Sequence, residues 1–332
     1  MKSHLTCRRW AVTNLSLLAL LALAAGLALC IGSEGVGLSE ALTPGTKAHA
    51  IVFTSRLPRV ALAALVGMAL ASSGGAFQAL LRNPLADPFI LGVSGGAALG
   101  AVASVGFGLS FGGQSAAAFL GAGASMLMIF WIARARGRLS PTTLLLTGVI
   151  FNAFCFALIL FVNSIVTMEE SYQILFLLIG NLEATGMRTA LVLCAFVVAG
   201  FAILCACAWR MNLMSLGEDE AMSMGVNVGR LRMAVFAAAS MMVGAAVAAS
   251  GLIGFVGLFV PHIVRLAAGS DHRLLIPASG LAGAAFLILA DAAARTILMH
   301  TGYATELPVG VVTALVGAPM FLLLLRRQQE GI

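Results

Sequence analysis

Apolar runs free of Asp, Glu, Lys, Arg and His occupy most of the chain, at residues 10–33, 60–81, 88–133, 139–168, 189–209, 233–261, 274–290 and 307–325. One transmembrane helix needs roughly 20 apolar residues. The run 88–133 is too long for one helix and breaks at the glycine-rich stretch 106–113, which makes two spans. The run 233–261 passes Ser250-Gly251 and then meets Pro261 and His262; it divides at Gly251, and its second piece extends to about Ala268. The pattern therefore predicts ten spans. The piece 171–182 is too short to cross and reads as an interfacial or re-entrant helix. Strand-like alternation is too sparse for a β-barrel.

Basic residues orient these spans. With the N-terminus in the cytoplasm, cytoplasmic segments collect Lys and Arg from Lys2, Arg8 and Arg9 through to Arg326 and Arg327. Only Lys47, Arg56, Arg59, Arg188 and Arg295 fall outside, five of the chain's 19. An even number of spans also returns the C-terminus to the cytoplasm.

Composition agrees. Of 332 residues, 61% are apolar and 10% are charged, where a soluble domain averages about 45–50% and about 25%. Mean hydropathy is +1.04. The net charge of +6 follows the ends of the apolar runs, so it sets topology and does not point to nucleic acid. No stretch is long enough for a separate soluble domain, and residues 1–332 read as a single transmembrane permease domain. The six cysteines form no disulfide or zinc pattern and read as small packing residues. The run 10–33 exceeds the h-region of a signal peptide and is taken as span one.

Small residues recur at helix-packing spacing: Gly92, Gly96 and Gly100; Gly67 and Ala71; Gly121 and Ser125. Segments beginning at Ala71-Ser72-Ser73-Gly74 and Ala249-Ser250-Gly251 are faintly similar and would run in opposite directions, a weak sign of an inverted repeat. Between spans six and seven, residues 211–229 are too polar to cross. Ser215 and Glu218 fit a capping box, Glu218, Asp219 and Glu220 form an acidic first turn, and Gly225 suits a C-cap. These signals predict a helix over 216–224. Its Leu216, Met222 and Met224 either rest on the protein itself or meet a cytosolic partner.

Specific blocks then carry a resemblance: Arg56-Leu57-Pro58-Arg59, Arg82-Asn83-Pro84-Leu85-Ala86-Asp87-Pro88, Leu213 to Gly225, Gly254-Phe255-Val256-Gly257-Leu258, Pro261-His262-Ile263-Val264-Arg265, Asp291 with Arg295, and Glu306-Leu307-Pro308-Val309-Gly310. Over about residues 50–327 the chain resembles the permease of FecCD-type ABC importers, which move iron–siderophores, haem or cobalamin. The resemblance implies an all-α integral membrane protein of the type II importer class, with ten transmembrane helices and a short cytoplasmic coupling helix. It implies a bacterial cytoplasmic membrane, a homodimer, two cytosolic ATPase subunits and a periplasmic or lipid-anchored binding protein. The chain has no Gly-x-x-x-x-Gly-Lys-Ser/Thr loop, so ATP and Mg would be bound by the partner ATPase and no cofactor by this chain.

The same resemblance implies site roles. Arg56, Arg59 and Arg295 would form an outward patch for acidic residues of the binding protein, since guanidinium forks pair with carboxylates; the alternative is membrane-edge snorkelling or an Asp291–Arg295 pair at i,i+4 spacing. Ser215, Leu216, Gly217, Glu218, Asp219, Glu220, Met222 and Gly225 would couple to the ATPase. Ser140, Pro141, Thr142 and Thr143 would narrow the cytoplasmic gate. Asn83, Pro84, Asp87, Pro261, His262, Arg265 and Asp291 read as structural motif. No catalytic or metal cluster stands out. The alternative is a proton-coupled secondary transporter working through Asp291 or His262; an intramembrane enzyme is a third class.

Overall fold

The computed structural model describes residues 5–32, 40, 43–133, 141–182, 186–298 and 306–329. Every regular element among them is helical: α1 (Cys7–Cys30), α2 (Lys47–Leu81), α3 (Val93–Gly106), α4 (Phe111–Ala133), α5 (Pro141–Ile165), α6 (Met168–Ile179), α7 (Met187–Met214), α8 (Glu218–Ser223), α9 (Val228–Ser250), α10 (Val256–Ala268), α11 (His272–Thr296) and α12 (Val309–Gln329). Seven of these are long and apolar enough to cross a bilayer. The other three segments expected to span are shorter apolar helices: α3, α10 and the Val309–Leu324 part of α12.

The shortening has a local cause. Gly92 (φ +82°) precedes α3, and Gly251 (φ +68°) and Phe255 (φ +69°) stand between α9 and α10. These left-handed residues stop the helix early, so part of each expected span is irregular backbone. Such backbone is tolerated at membrane depth only where protein satisfies it. For the α9–α10 turn, Leu252 N–H donates to Leu177 O at 3.0 Å and Asn181 N–H to Ser250 O at 2.9 Å. Both partners belong to α6 or the residues just after it. The expected short helix over 171–182 is thus α6, set by a capping box of Thr167 and Glu170, and it plugs the broken pair.

α2 lies at the centre and is buried along most of its length, whereas α1 exposes most of its surface. In lipid, apolar side chains gain little by meeting each other, so close backbone approach carries the packing. The small residues serve this. Gly67 of α2 sits against the Gly283 backbone of α11, and Gly96 and Gly100 of α3 lie against Gly121 and Ala117 of α4. Gly96 also faces Ser125. All six cysteines are free.

Candidate functional site

Two polar constellations occupy opposite ends of the bundle. At the end predicted to face outward, α2 begins with a π-helical stretch, Ile51–Arg56, closed by Leu57 N–H donating to Val52 O. A π turn holds one residue more per bond than an α turn and re-aims the side chains beyond it. Arg56 is buried there, and its Nη1 donates to Leu29 O at 2.8 Å and Cys30 O at 3.2 Å, which caps the last carbonyls of α1. One turn on, Arg59 Nε meets Asp291 Oδ1 at 3.0 Å and its Nη1 meets Glu306 Oε2 at 2.7 Å. Arg295 Nε reaches Asp291 Oδ2 at 3.1 Å, at helical i,i+4 spacing.

Asp291 is only 1% exposed and is shared between two guanidiniums. An ion left unpaired at that depth is expensive, so each member needs the others. Arg295 thus takes the pairing with Asp291 that the i,i+4 spacing offers, and the three guanidiniums do not stand as free forks. Arg56 and Arg295 are buried, at 5% and 6% exposure, and they hold α1, α2 and α11 together. The reason is the cost of solvating a helix end and an aspartate away from water. In front of them opens a cavity of about 470 Å³ lined by Lys47, Thr54, Ser55, Arg56, Arg59, Arg295 and Glu306 among others. Its charged lining is four cations and one carboxylate.

At the other end, α7 runs into residues 215–217 and then α8. The helix is six residues long, shorter than the expected 216–224. The capping box is also corrected. Gly217 is the N-cap, with no side-chain bond, while Ser215 Oγ donates back to Met211 O at 3.0 Å as part of the end of α7. Glu218 does not reach back to the cap; it forms an ion pair with Arg232 of α9. The C-terminus behaves as expected. Gly225 (φ +83°) donates its N–H to Met222 O at 2.9 Å, and Val226 N–H reaches Ala221 O at 2.9 Å, a Schellman pair.

Buried Ala221 and Val226 seat this helix on the bundle, while Leu216, Met222 and Met224 are 65%, 52% and 57% exposed. More than half of each of these apolar side chains is left uncovered by this chain. The stem is fastened on two further sides. Arg82 Nη2 donates to Met214 O at 2.6 Å. Asn212 Nδ2 donates to Asp271 Oδ1 at 2.7 Å, and Asn212 Oδ1 accepts the His272 backbone N–H at 2.8 Å. Burial alone would push the Asp271 carboxyl up. Hydrogen bonds from Arg273 and Asn212 outweigh it and hold Asp271 at about 2.

The family profile that matches this architecture, the FecCD transport family, aligns with residues 18–327. The chain belongs to that family. It is 44% identical over 289 residues to the uncharacterized ABC transporter permease protein YvrB of Bacillus subtilis, covering 85% of this chain and 80% of that one. It is 44% identical over 286 residues to the cobalamin import system permease protein BtuC of Halobacterium salinarum, covering 85% and 75%. With the vitamin B12 import system permease protein BtuC of Shigella boydii it shares 40% over 326 residues, covering 97% and 96%. A solved structure assigned to a metal-chelate type ABC transporter in an inward-facing conformation superposes with a TM-score of 0.86 at 32% identity, covering 95% of this chain and 98% of the other. The protein is an integral membrane permease of an ABC importer of this type.

In this FecCD permease the other predicted residues lie in turns and buried contacts of the bundle. Asn83 Oδ1 accepts the Leu85 N–H at 2.9 Å and Asp87 Oδ1 accepts the Phe89 N–H at 2.8 Å, so the turn after α2 is built from two side-chain-capped bends flanked by Pro84 and Pro88. Pro261 and His262 are buried in α10, and the His262 ring stands edge-on to Phe321, 6.4 Å between centroids. Arg265 Nη2 donates to Gln78 Oε1 at 3.1 Å, and Gln78 Nε2 to Leu258 O at 3.1 Å. Of the expected gate, Thr142 is exposed near the start of α5, and Ser140 lies outside the described residues. So do Lys2, Arg134, Arg136 and Arg138 of the topology argument. The sequence reading missed Asn212 and Gln78. Their partners are 59 and 187 residues away, and no local pattern announces them.

Proposed function

We propose that two copies of this chain form the translocation pathway of a binding-protein-dependent, ATP-driven importer for a metal chelate in the bacterial cytoplasmic membrane, with both termini in the cytoplasm. The observation that carries the reading is the α8 segment. A six-residue helix projects exposed Leu216, Met222 and Met224 and an acidic turn, and it is tethered through Arg82, Asn212 and Arg232 to four helices of the bundle. Exposed methionines suit an adaptable contact. Fastening at several points suits an element that transmits a push from a cytosolic ATPase. Residues 215–225 would couple to that ATPase, and the turn at Ser140–Thr143 would form the inner gate.

At the outer end, acidic groups of the binding protein would enter the basic cavity. They would meet Lys47 and Arg59 first, with Arg56 and Arg295 supplying field from behind. Among iron–siderophore, haem and cobalamin, cobalamin is favoured, because relatives named for cobalamin or vitamin B12 import align over 85–97% of this chain. The secondary-transporter reading loses support from the geometry. The Asp291 carboxylate is clasped by Arg59 and Arg295, so it is committed to joining helices rather than to carrying a proton.

The test is reconstitution into liposomes with the cognate ATPase and binding protein. Cobalamin uptake is expected only with ATP and all partners present. Uptake by the chain alone under a pH gradient would overturn the reading.

A further inference from the structure

We propose that the seam between α1, α7 and α11 at the inner end binds the headgroup of an anionic phospholipid. The chain has three tryptophans, and all lie at helix ends on this side: Trp10 at the start of α1, Trp131 at the end of α4 and Trp209 near the end of α7. Tryptophan favours the membrane interface, where its ring is apolar and its N–H is wet. Two of the three converge on one residue of α11. Trp10 Nε1 donates to Arg273 O at 3.1 Å, and the Arg273 guanidinium lies 4.9 Å over the Trp209 ring. Arg9 Nη2 adds a bond to Ala268 O at 3.1 Å, drawing the start of α1 onto the α10–α11 turn.

Two sequence neighbours of these groups at the same helix ends are also cationic. Arg8 and Arg210 are exposed, and the Arg273 side chain is 43% exposed. With Arg9 they make four cations, against Asp271, which pairs with Arg273. Neither Arg8 nor Arg210 makes a hydrogen bond or ion pair with the described residues. The cations stand at the rim of an apolar surface: Trp10, Val12 and Leu15 of α1 are 43%, 59% and 64% exposed. A free phosphate would answer only the charge. A phospholipid answers both, with its phosphate at the arginines and its acyl chains along α1.

The test uses the full chain in neutral detergent and native mass spectrometry. Phosphatidylglycerol should be retained about 25-fold more than phosphatidylcholine. The R8Q/R210Q variant should lose that preference, at about fivefold per arginine, with an unchanged melting temperature; R188Q at the other end should keep it. Equal retention of the two lipids by the unaltered chain would overturn the proposal. So would undiminished phosphatidylglycerol retention in R8Q/R210Q, or displacement by inorganic phosphate as effective as by the lipid. None of these readouts depends on transport, so the transport reading stands or falls separately.

Discussion

Gly74 of α2 packs so tightly on Gly257 of α10 that a β-carbon at Gly74 would overlap the Gly257 carbonyl oxygen. Gly257 is in turn hemmed in by Leu70 O and the Pro88 ring. The proline turn after α2, the centre of α2 and the start of α10 thus meet at one point. Gly74→Leu should cost at least the roughly 1–3 kcal/mol typical of overpacking. A lowered melting temperature in detergent would report it. Gly26→Leu, at a site with nothing within 4 Å of a β-carbon, should leave it unchanged.

Asp291 is the second such point, in charge rather than volume. Asp291→Asn leaves Arg295 buried without its carboxylate and leaves Arg59 with Glu306 alone. Breaking a buried pair from one side costs on the order of 3–5 kcal/mol. The expected outcome is poor accumulation in membranes and a markedly lower melting temperature. Removing Arg295 as well, in Asp291→Asn with Arg295→Met, should recover part of the loss. A fully additive double variant would show that the two do not interact.

The coupling role separates from folding. The Glu218 side chain is 38% exposed but its partner Arg232 is only 9% exposed, so removing the carboxylate outright would strand a buried guanidinium. Glu218→Gln with Glu220→Ala, which keeps a hydrogen-bond acceptor for Arg232, should therefore fold and insert yet lose ATP-driven uptake in the reconstituted complex. Retained uptake would remove α8 from the coupling pathway.

Asp271 makes a pH prediction. Its pKa of about 2 lies below the usual carboxylate value, so the folded state binds its proton less readily than the unfolded chain does. Its contribution is therefore present above about pH 4 and is lost as pH falls toward 2. Because the group is partly solvent-accessible, screening limits the effect to roughly 1 kcal/mol. Melting temperature against pH should show this loss, and Asp271→Asn should flatten the curve over that window. A curve equally steep in both proteins would contradict it.

Much of this was legible along the chain. Apolar runs and stray glycines placed α1, α4, α5, α7, α9 and α11 and the break before α4, because a bilayer penalises every charge and every unmade backbone bond. Charge bias and the acidic turn marked the two polar ends. Gly225 announced the stop of α8, since a left-handed position favours glycine.

Other features depended on which surfaces meet. Ser215 and Glu218 carry a valid capping pattern, but Met211 O and Arg232 are closer partners, and proximity in space outcompetes spacing in sequence. The Asp291–Arg295 pair is legible from its i,i+4 spacing, but the partners of Arg56 and Arg59, the α1 carbonyls and Asp291, lie 26 to 232 residues away. The solvent-averse environment and the order of residues decided that this polypeptide builds apolar helices and where they stop. Only the packed bundle decided which helix end each buried guanidinium caps, because that choice is made by desolvation cost and geometry between distant segments.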